Sequence, residues 1–290
     1  AQFFGWRLRQ PAIAWMADFQ HRRMRHLFSA SAYWKRELGF QAEIVAGRSI
    51  ILSSEDARNH CEQFYPSTRG RTHVLRFAVA ARPRADAAEI TRITAAYGLP
   101  ADFYFLPNQF WRHKNHECVI RALGRLKGLG RRGIVVAASG NPLDRGDPDH
   151  WRRLERLIQD LDVTENFRLL GMIPTEHLHV LLQSCVALIN PSMSEGWSTT
   201  VEEAKSAGTP MILSDLAVHR EQVGESAAFF DPRNDEQLAE VFLNYVPVDS
   251  DSRAKLAAKA AISSAAAMER FARDLLRVVA NTTGTELAHP

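Results

Sequence analysis

The chain has 290 residues, 46% of them hydrophobic, with a formal net charge of +3 and three cysteines. That apolar content supplies a packed core for one large domain or two, and Lys and Arg spread along the chain argue against a nucleic-acid partner. Cys61, Cys118 and Cys185 lie far apart without metal-ligand spacing, which points to a reducing, cytoplasmic setting; neither a bilayer-spanning helix nor a signal peptide is expected.

In chain order, FGWRLRQ leads into apolar PAIAWMA, which reads as a buried strand ending at the polar Asp18-Phe19-Gln20-His21. A helical period follows from Arg22 to Ala46, carrying Met24, Leu27, Phe28, Tyr33, Trp34 and Leu38, with a break expected at Gly39. RSIILS (48–53) predicts a strand, and Ser54 with Glu55 predicts a capped helix to Tyr65 that Pro66 ends. HVLRFAV (73–79) predicts another strand, and the Ala-, Pro- and Arg-rich 80–88 stretch a linker. We therefore expect an N-terminal domain over 1–83, a second domain over 84–248, and a helical tail over 249–290.

The second domain alternates. Strands are expected at Phe103–Leu106, GIVVAAS (133–139), FRLLGMI, VALINPS (186–192), PMILSD and AAFFDP. Between them stand a helix through Arg121, Leu123 and Leu126, then WRRLERLIQDL, TEHLHVLLQSC, VEEAKSAG, LAVHREQVG and DEQLAEVFLNY. Strands separated by helices of this length imply right-handed βαβ units in a parallel sheet, a doubly wound α/β domain whose ligands bind at the strands' carboxyl ends. The tail from Ser250 to Ala280 reads as an Ala-rich helix with Leu275, Leu276, Val278 and Val279 on an apolar side, and the last ten residues as frayed.

The most informative stretch is Glu195-Gly196-Trp197-Ser198-Thr199-Thr200-Val201-Glu202-Glu203, where an apolar strand gives way to a helix. Helix N-termini bind anions through their first amides, and Gly196 lets backbone approach a ligand closely. Glu195 and Glu203 would flank such an anion with carboxylates suited to hydroxyl groups. The same spacing also fits a capping box of Thr200 and Glu203. Lys114 lies in a second strand-to-helix loop, Asn108-Gln109-Phe110-Trp111-Arg112-His113-Lys114-Asn115, in which Asn115 is the expected cap and Lys114 a point charge for a diphosphate. Asp147-Pro148-Asp149 reads as a helix start capped by Asp147 rather than a cation pair. His113, His116, His177 and His179 lack zinc spacing, and there is no Gly-x-Ser-x-Gly elbow. Arg22, Arg23, Arg25 and His26 read as a solvated helix face that could also touch an anionic membrane surface.

Together the loop ending His113-Lys114-Asn115, the turn Gly171-Met172-Ile173, the phrase NPSMSEGWSTTVEEAKSAGTPMILSD and the segment from Glu221 to Pro232 resemble the retaining glycosyltransferases of family 4, over roughly residues 100–245. The resemblance implies a GT-B fold: one complete Rossmann-like C-terminal domain with a parallel sheet, and a partial N-terminal Rossmann-like domain lacking its first part, glycine-rich loop included. It implies transfer of a sugar from a nucleotide diphosphate sugar to a hydroxyl acceptor, such as a growing glycan or lipid-linked sugar, with retention and without metal or other cofactor, in the cytoplasm or at the inner membrane face. By position, Glu195 would contact the donor sugar, Glu203 the ribose, the backbone of Gly196, Trp197, Ser198, Thr199 and Thr200 the diphosphate, Lys114 the departing diphosphate, the backbone at Met172 and Ile173 the base, and His21 the sugar. The sequence departs from the pattern at Asn108-Gln109, where Gly-Arg is usual, so Gln109 would meet the diphosphate without a positive charge. Ser198 replaces a common second Gly. These departures and the missing first part also admit a second reading, a nucleotide-binding module of this fold without catalysis.

Overall fold

The computed structural model describes residues 10–285 apart from residue 145; most of the FGWRLRQ segment and half of the expected frayed end lie outside the described residues. The chain divides into two compact units. The first comprises the chain up to Ala78, Glu195–Trp197 and the chain from Ala265 onward; the second comprises Val79–Ser194 and Ser198–Ser264.

The first unit is built on three parallel strands in the order β1 (Ile13–Trp15), β2 (Ser49–Leu52), β3 (Thr72–Val74). Its helices are α1 (Gln20–Arg23), α2 (Ala30–Val45) and α3 (Glu55–Phe64), with a 3-10 turn at Arg25–Leu27. Ser54 caps α3 by accepting from the Ala57 amide at 3.0 Å, and the helix stops before Pro66. Helix α2 runs unbroken through Gly39. A mid-helix glycine costs about 1 kcal/mol, and the burial of the adjacent Phe40 and of Ile44 outweighs it. The expected strand at 73–79 is shorter, ending at Val74.

The core of this unit gathers Phe19, Phe40, Ile50, Leu52 and Tyr65. A smaller cluster packs Val278 of helix α11 (Ser250–Thr283) on Ile51 and Leu75. The apolar side expected of the tail is therefore split, because Leu276 and Val279 stay exposed while Val278 is buried. The helix also continues through residues 281–283, where fraying was expected.

A buried carboxylate holds the helices of this unit together. Glu37 on α2 accepts from Arg22 Nε at 2.9 Å and Nη2 at 2.5 Å, from the Tyr65 hydroxyl at 2.7 Å and from Gln41 at 3.1 Å. Burial alone would raise its pKa, but the hydrogen bonds from Arg22, Tyr65 and Gln41 overcome that and hold it at about 2. Arg23 pairs with Asp56 at 3.8 Å, and Arg25 donates to the Phe28 carbonyl and lies over the Tyr33 ring. Arg23, Arg25 and His26 are exposed, as a solvated face requires, while Arg22 is drawn in to Glu37.

The second unit carries six parallel strands: β4 (Tyr104–Leu106), β5 (Val136–Ser139), β6 (Phe167–Gly171), β7 (Leu188–Asn190), β8 (Met211–Ser214) and β9 (Ala228–Phe230), in the order β6-β5-β4-β7-β8-β9. Alternate residues face opposite sides. Leu106, Val136, Ala138, Ile189 and Ile212 pack under α5 (His116–Gly128), α6 (His150–Asp160) and α10 (Asp235–Asn244). Phe105, Ala137, Leu188 and Leu213 pack under α4 (Ala87–Ala96), α7 (Thr175–Ser184) and α8 (Thr199–Ala207). Helix α9 (Ala217–Val223) joins β8 to β9. Helix α4 begins inside the expected linker; its signal was Asp86, whose carboxylate accepts from the Glu89 amide at 2.8 Å.

His116, in the first turn of α5, is fully buried and stacked on Phe110 with ring centroids 4.0 Å apart. Burial, reinforced by the nearby His150 and Lys114, lowers its pKa to about 3. The unfolded chain protonates this ring near 6.5 and the folded chain does not, so stability falls as pH drops below 6.5, with a slope of up to about 1.4 kcal/mol per pH unit from this residue. Urea denaturation at pH 7 and pH 5 should show that loss, and His116→Phe should flatten it.

Candidate functional site

The strand order reverses between β4 and β7, so the loops leaving these two neighbours diverge to opposite faces of the sheet and leave a crevice at its carboxyl edge. Two connections of the second unit meet there. The β4–α5 loop contains a 3-10 turn, Arg112–Lys114, and the β7–α8 loop leads to the N-terminus of α8. They are tied by the Met193 amide donating to the His113 carbonyl at 2.8 Å and by Asn115 Nδ2 donating to the Pro191 carbonyl at 3.1 Å. Asn115 Nδ2 also reaches the Pro232 carbonyl at 2.8 Å. Asn115 holds the expected cap position of α5, but with a left-handed backbone and its side chain spent on these carbonyls rather than on the helix amides. The turn that carries Lys114 is therefore braced against the β7–α8 loop.

The start of α8 rests on a buried polar cluster. Asn190, at the end of β7, donates to Ser198 Oγ at 2.8 Å and accepts from the Ser192 amide at 3.2 Å and hydroxyl at 2.7 Å. Ser198 is the cap, its Oγ accepting from the Val201 amide at 3.4 Å, so the expected capping box of Thr200 and Glu203 is not formed. Gln222 on α9 closes the arrangement: its Oε1 accepts from the Ser198 amide at 3.1 Å, and its Nε2 donates to the Ser198 carbonyl at 3.1 Å and to Glu202 Oε1 at 3.0 Å. The Ser198 amide is thus turned to Gln222 and not offered to an anion. The next two amides, of Thr199 and Thr200, belong to the positions that a helix leaves without intrahelical acceptors.

Of the adjacent acids, Glu202 is buried and committed to Gln222 and to Lys205, whose Nζ lies at 2.8 Å. Glu203 is half-buried, and burial raises its carboxyl pKa against the opposing pull of Arg82.

Glu195, Gly196 and Trp197 group with the first unit. A Cβ at position 196 would be driven into the Ala17 carbonyl, 2.9 Å from its carbon and closer still to its oxygen. Gly196 thus serves a close backbone approach to Ala17. Gly196→Ala should destabilise the folded chain by about 1–3 kcal/mol, as an overpacked site does; a thermal melt unchanged from the parent would refute that fit. Trp197 Nε1 donates to the Phe77 carbonyl at 3.0 Å.

His21 does not sit at an exposed strand end. It lies in α1, fully buried, its ring edge-on to Phe40 and its Nε2 3.2 Å from Glu37. Burial first, then Arg36, keeps its pKa below the ordinary value. In this position it braces the core of the first unit. Gln109 accepts from the Asn141 amide at 2.9 Å, linking the ends of β4 and β5. Gly171 turns with φ near 67° and accepts from the Gly140 amide at 2.9 Å, presenting an exposed Met172 and a partly buried Ile173. Asp147 is not the expected cap: its carboxylate pairs with Arg153 and with Arg112, and Asp149 holds the cap position of α6. Among the described residues no group of three or more His, Cys, Asp or Glu is placed to hold a metal ion.

Comparison with known proteins decides the family. The model of the glycosyl transferases group 1 family matches residues 92–262, more than half of the chain. The chain belongs to this family. It is 26% identical over 204 residues to the putative glycosyltransferase EpsF of Bacillus subtilis, covering 66% of this chain and 49% of EpsF. To the O-antigen chain mannosyltransferase RfbU of Salmonella typhimurium it is 29% identical over 114 residues, covering 35% of this chain and 32% of RfbU. The chain thus spans at most about half the length of these relatives. The Anabaena protein HepE, solved with UDP and glucose, superposes with a TM-score of 0.74 at 16% identity, over 92% of this chain and 72% of HepE. Sucrose-phosphate synthase from Thermosynechococcus elongatus gives 0.72 at 17% identity, over 95% and 69%. These likenesses establish the GT-B type of fold, with Rossmann-like parallel sheets in both units.

Proposed function

We propose that this chain carries the donor-binding machinery of a retaining glycosyltransferase of family 4, which moves a sugar from a nucleotide diphosphate sugar to a hydroxyl acceptor on a glycan or lipid-linked sugar. The observation that carries this reading is the bracing of the Lys114 turn against the loop that leads to α8, through Met193 to His113 and Asn115 to Pro191, at the sheet's reversal point. A diphosphate seated there would take the Thr199 and Thr200 amides and the helix dipole from one loop and the Lys114 ammonium from the other. As the bond to the sugar breaks, charge grows on the leaving diphosphate, and preorganised donors stabilise that charge more than they stabilise the bound donor. A phosphate oxygen of the leaving group then accepts the acceptor's proton.

Glu203 is assigned to the ribose hydroxyls and Glu195 to the hydroxyls of the donor sugar. Backbone at Met172 and Ile173 is assigned to the base, and Gln109 to the margin of the diphosphate. EpsF and RfbU are named as glycosyltransferases, and HepE was solved with UDP, which supports a nucleotide-sugar donor. Free, buried Cys61, Cys118 and Cys185 support a reducing, cytoplasmic setting. Among the described residues no helix is long and apolar enough to cross a membrane, and the internal pairing of Arg22, Arg23 and Arg25 lends no support to membrane contact.

Calorimetric titration of the protein with UDP, GDP and their sugar conjugates tests the reading, followed by a transfer assay with the preferred donor. Binding is expected for one base over the other, with Glu203→Gln weakening it about tenfold at pH 7. The parent should lose affinity as pH falls through the raised pKa of Glu203, because the protonated acid no longer accepts two hydroxyl hydrogens, and the variant should lack that acid limb. Absence of binding to every nucleotide would defeat the proposal; binding without transfer would favour a nucleotide-binding module without catalysis.

A further inference from the structure

The second unit contains a cavity of about 400 Å³ at the opposite, amino edge of its sheet, where β8 and β9 begin. It lies between the C-terminal ends of α8 and α9 and the first half of α11. Met211, Val223 and Leu256 give it an apolar wall, and Lys205 and Lys259 stand on its lining. The volume falls in the range of small-molecule sites, and an apolar pocket with a few polar groups on its lining is their usual composition. No carboxylate lines it. Lys205 is paired with the buried Glu202, so Lys259 supplies the net positive charge of the lining, which complements a ligand with an anionic head and a short apolar body.

The lining also reaches the donor edge. Gln222 lines the cavity, and the same side chain bonds both the amide and the carbonyl of Ser198, the cap of α8. Lys205, on the lining too, donates to Glu202 Oε1, which Gln222 shares. A continuous path, Lys205 to Glu202 to Gln222 to Ser198, therefore connects the cavity with the first turn of α8. At its other end, Gly208 packs so closely on α11 that a Cβ there would lie 2.6 Å from the Ala257 amide nitrogen, which leaves α8 little room to slide. A ligand that draws Lys205 from Glu202 thus acts on the hydrogen bonds of the cap rather than on the position of the helix.

We propose that this cavity is a second ligand site, for a single-chain amphipathic anion, and that its occupancy alters the start of α8. The effect on donor affinity rests on the function proposed above; binding in the cavity and its effect on the α8 amides do not. The test uses the intact protein with octyl phosphate, kept below its micelle-forming concentration, with inorganic phosphate and octanol as controls. Saturable one-to-one binding is expected by calorimetry, about tenfold weaker for Lys259→Ala and for Leu256→Asp, both at exposed positions of α11, and unchanged for Lys114→Ala. Equal binding of octanol, or unaltered affinity in both α11 variants, would overturn the site. Hydrogen exchange of the 198–202 amides should change on octyl phosphate binding, and unaltered exchange would overturn the coupling. Where UDP also binds, each ligand should shift the other's affinity by the same factor, as linkage requires. A protein that takes octyl phosphate and alters its 198–202 exchange but binds no nucleotide would keep this site while defeating the donor reading.

Discussion

Lys114→Ala is expected to lower kcat/KM for sugar transfer by about 10²- to 10³-fold, the scale of removing one preorganised donor from a developing negative charge. Lys114 ends a 3-10 turn held on either side of it, by the His113 carbonyl accepting from Met193 and by Asn115 reaching across to Pro191 and Pro232. A charge held this way reaches a diphosphate without first ordering a loop, so its loss falls on the transition state and not only on binding. UDP affinity should drop less than the rate does. Lys114→Arg should recover only part of the loss, because a planar fork on a longer stem cannot replace a point charge in a fixed setting. Wild-type transfer in Lys114→Ala, measured on the intact protein with its preferred donor, would remove this residue from the mechanism.

Glu37→Ala should be the most damaging single change in the first unit, with a loss of about 3 kcal/mol in urea denaturation. The carboxylate is nearly inaccessible and joins three stretches of chain: Arg22 of α1, Gln41 within α2, and Tyr65 after α3. Deleting it leaves the Tyr65 hydroxyl buried without its acceptor and Arg22 beside the rings of Phe64 and Tyr65 without a counter-ion. Its folded pKa of about 2 lies below the ordinary value of 4.5. The stabilisation is therefore complete above pH 4.5 and fades as pH falls toward 2, and Glu37→Gln should lose that dependence while keeping part of the packing. A change under about 1 kcal/mol for the alanine variant would show that the network is ornamental.

Glu37 carried no signal in the sequence. It sits in a helical period as one more polar residue, and its partners are 15, 4 and 28 residues away. The case of His21 is the converse. The resemblance assigns it to the donor sugar, and the fold buries its ring beside the same carboxylate and Phe40. At Gly196 the need for a close backbone approach is legible in the sequence, but only the fold brings Ala17 against it. The spacing of Thr200 and Glu203 fits a capping box, yet the fold caps α8 with Ser198. The choice fell to Ser198 because Asn190 and Gln222, from the preceding strand and the following helix, hold it in place.

The alternation of apolar runs and helical periods determined the parallel α/β class and the positions of nearly every strand and helix after Leu99, because that pattern is local and each element buries its own face. It also set Lys114, Glu203 and the Ser198–Thr200 turn at strand-to-helix junctions, where a parallel sheet must carry its ligands. Only the tertiary structure decided which of these residues remain available to a ligand. Buried amides and carboxylates must find partners, those partners come from distant segments, and a side chain claimed by Gln222, Glu37 or Pro191 cannot be recognised as claimed until the sheet has brought the two together.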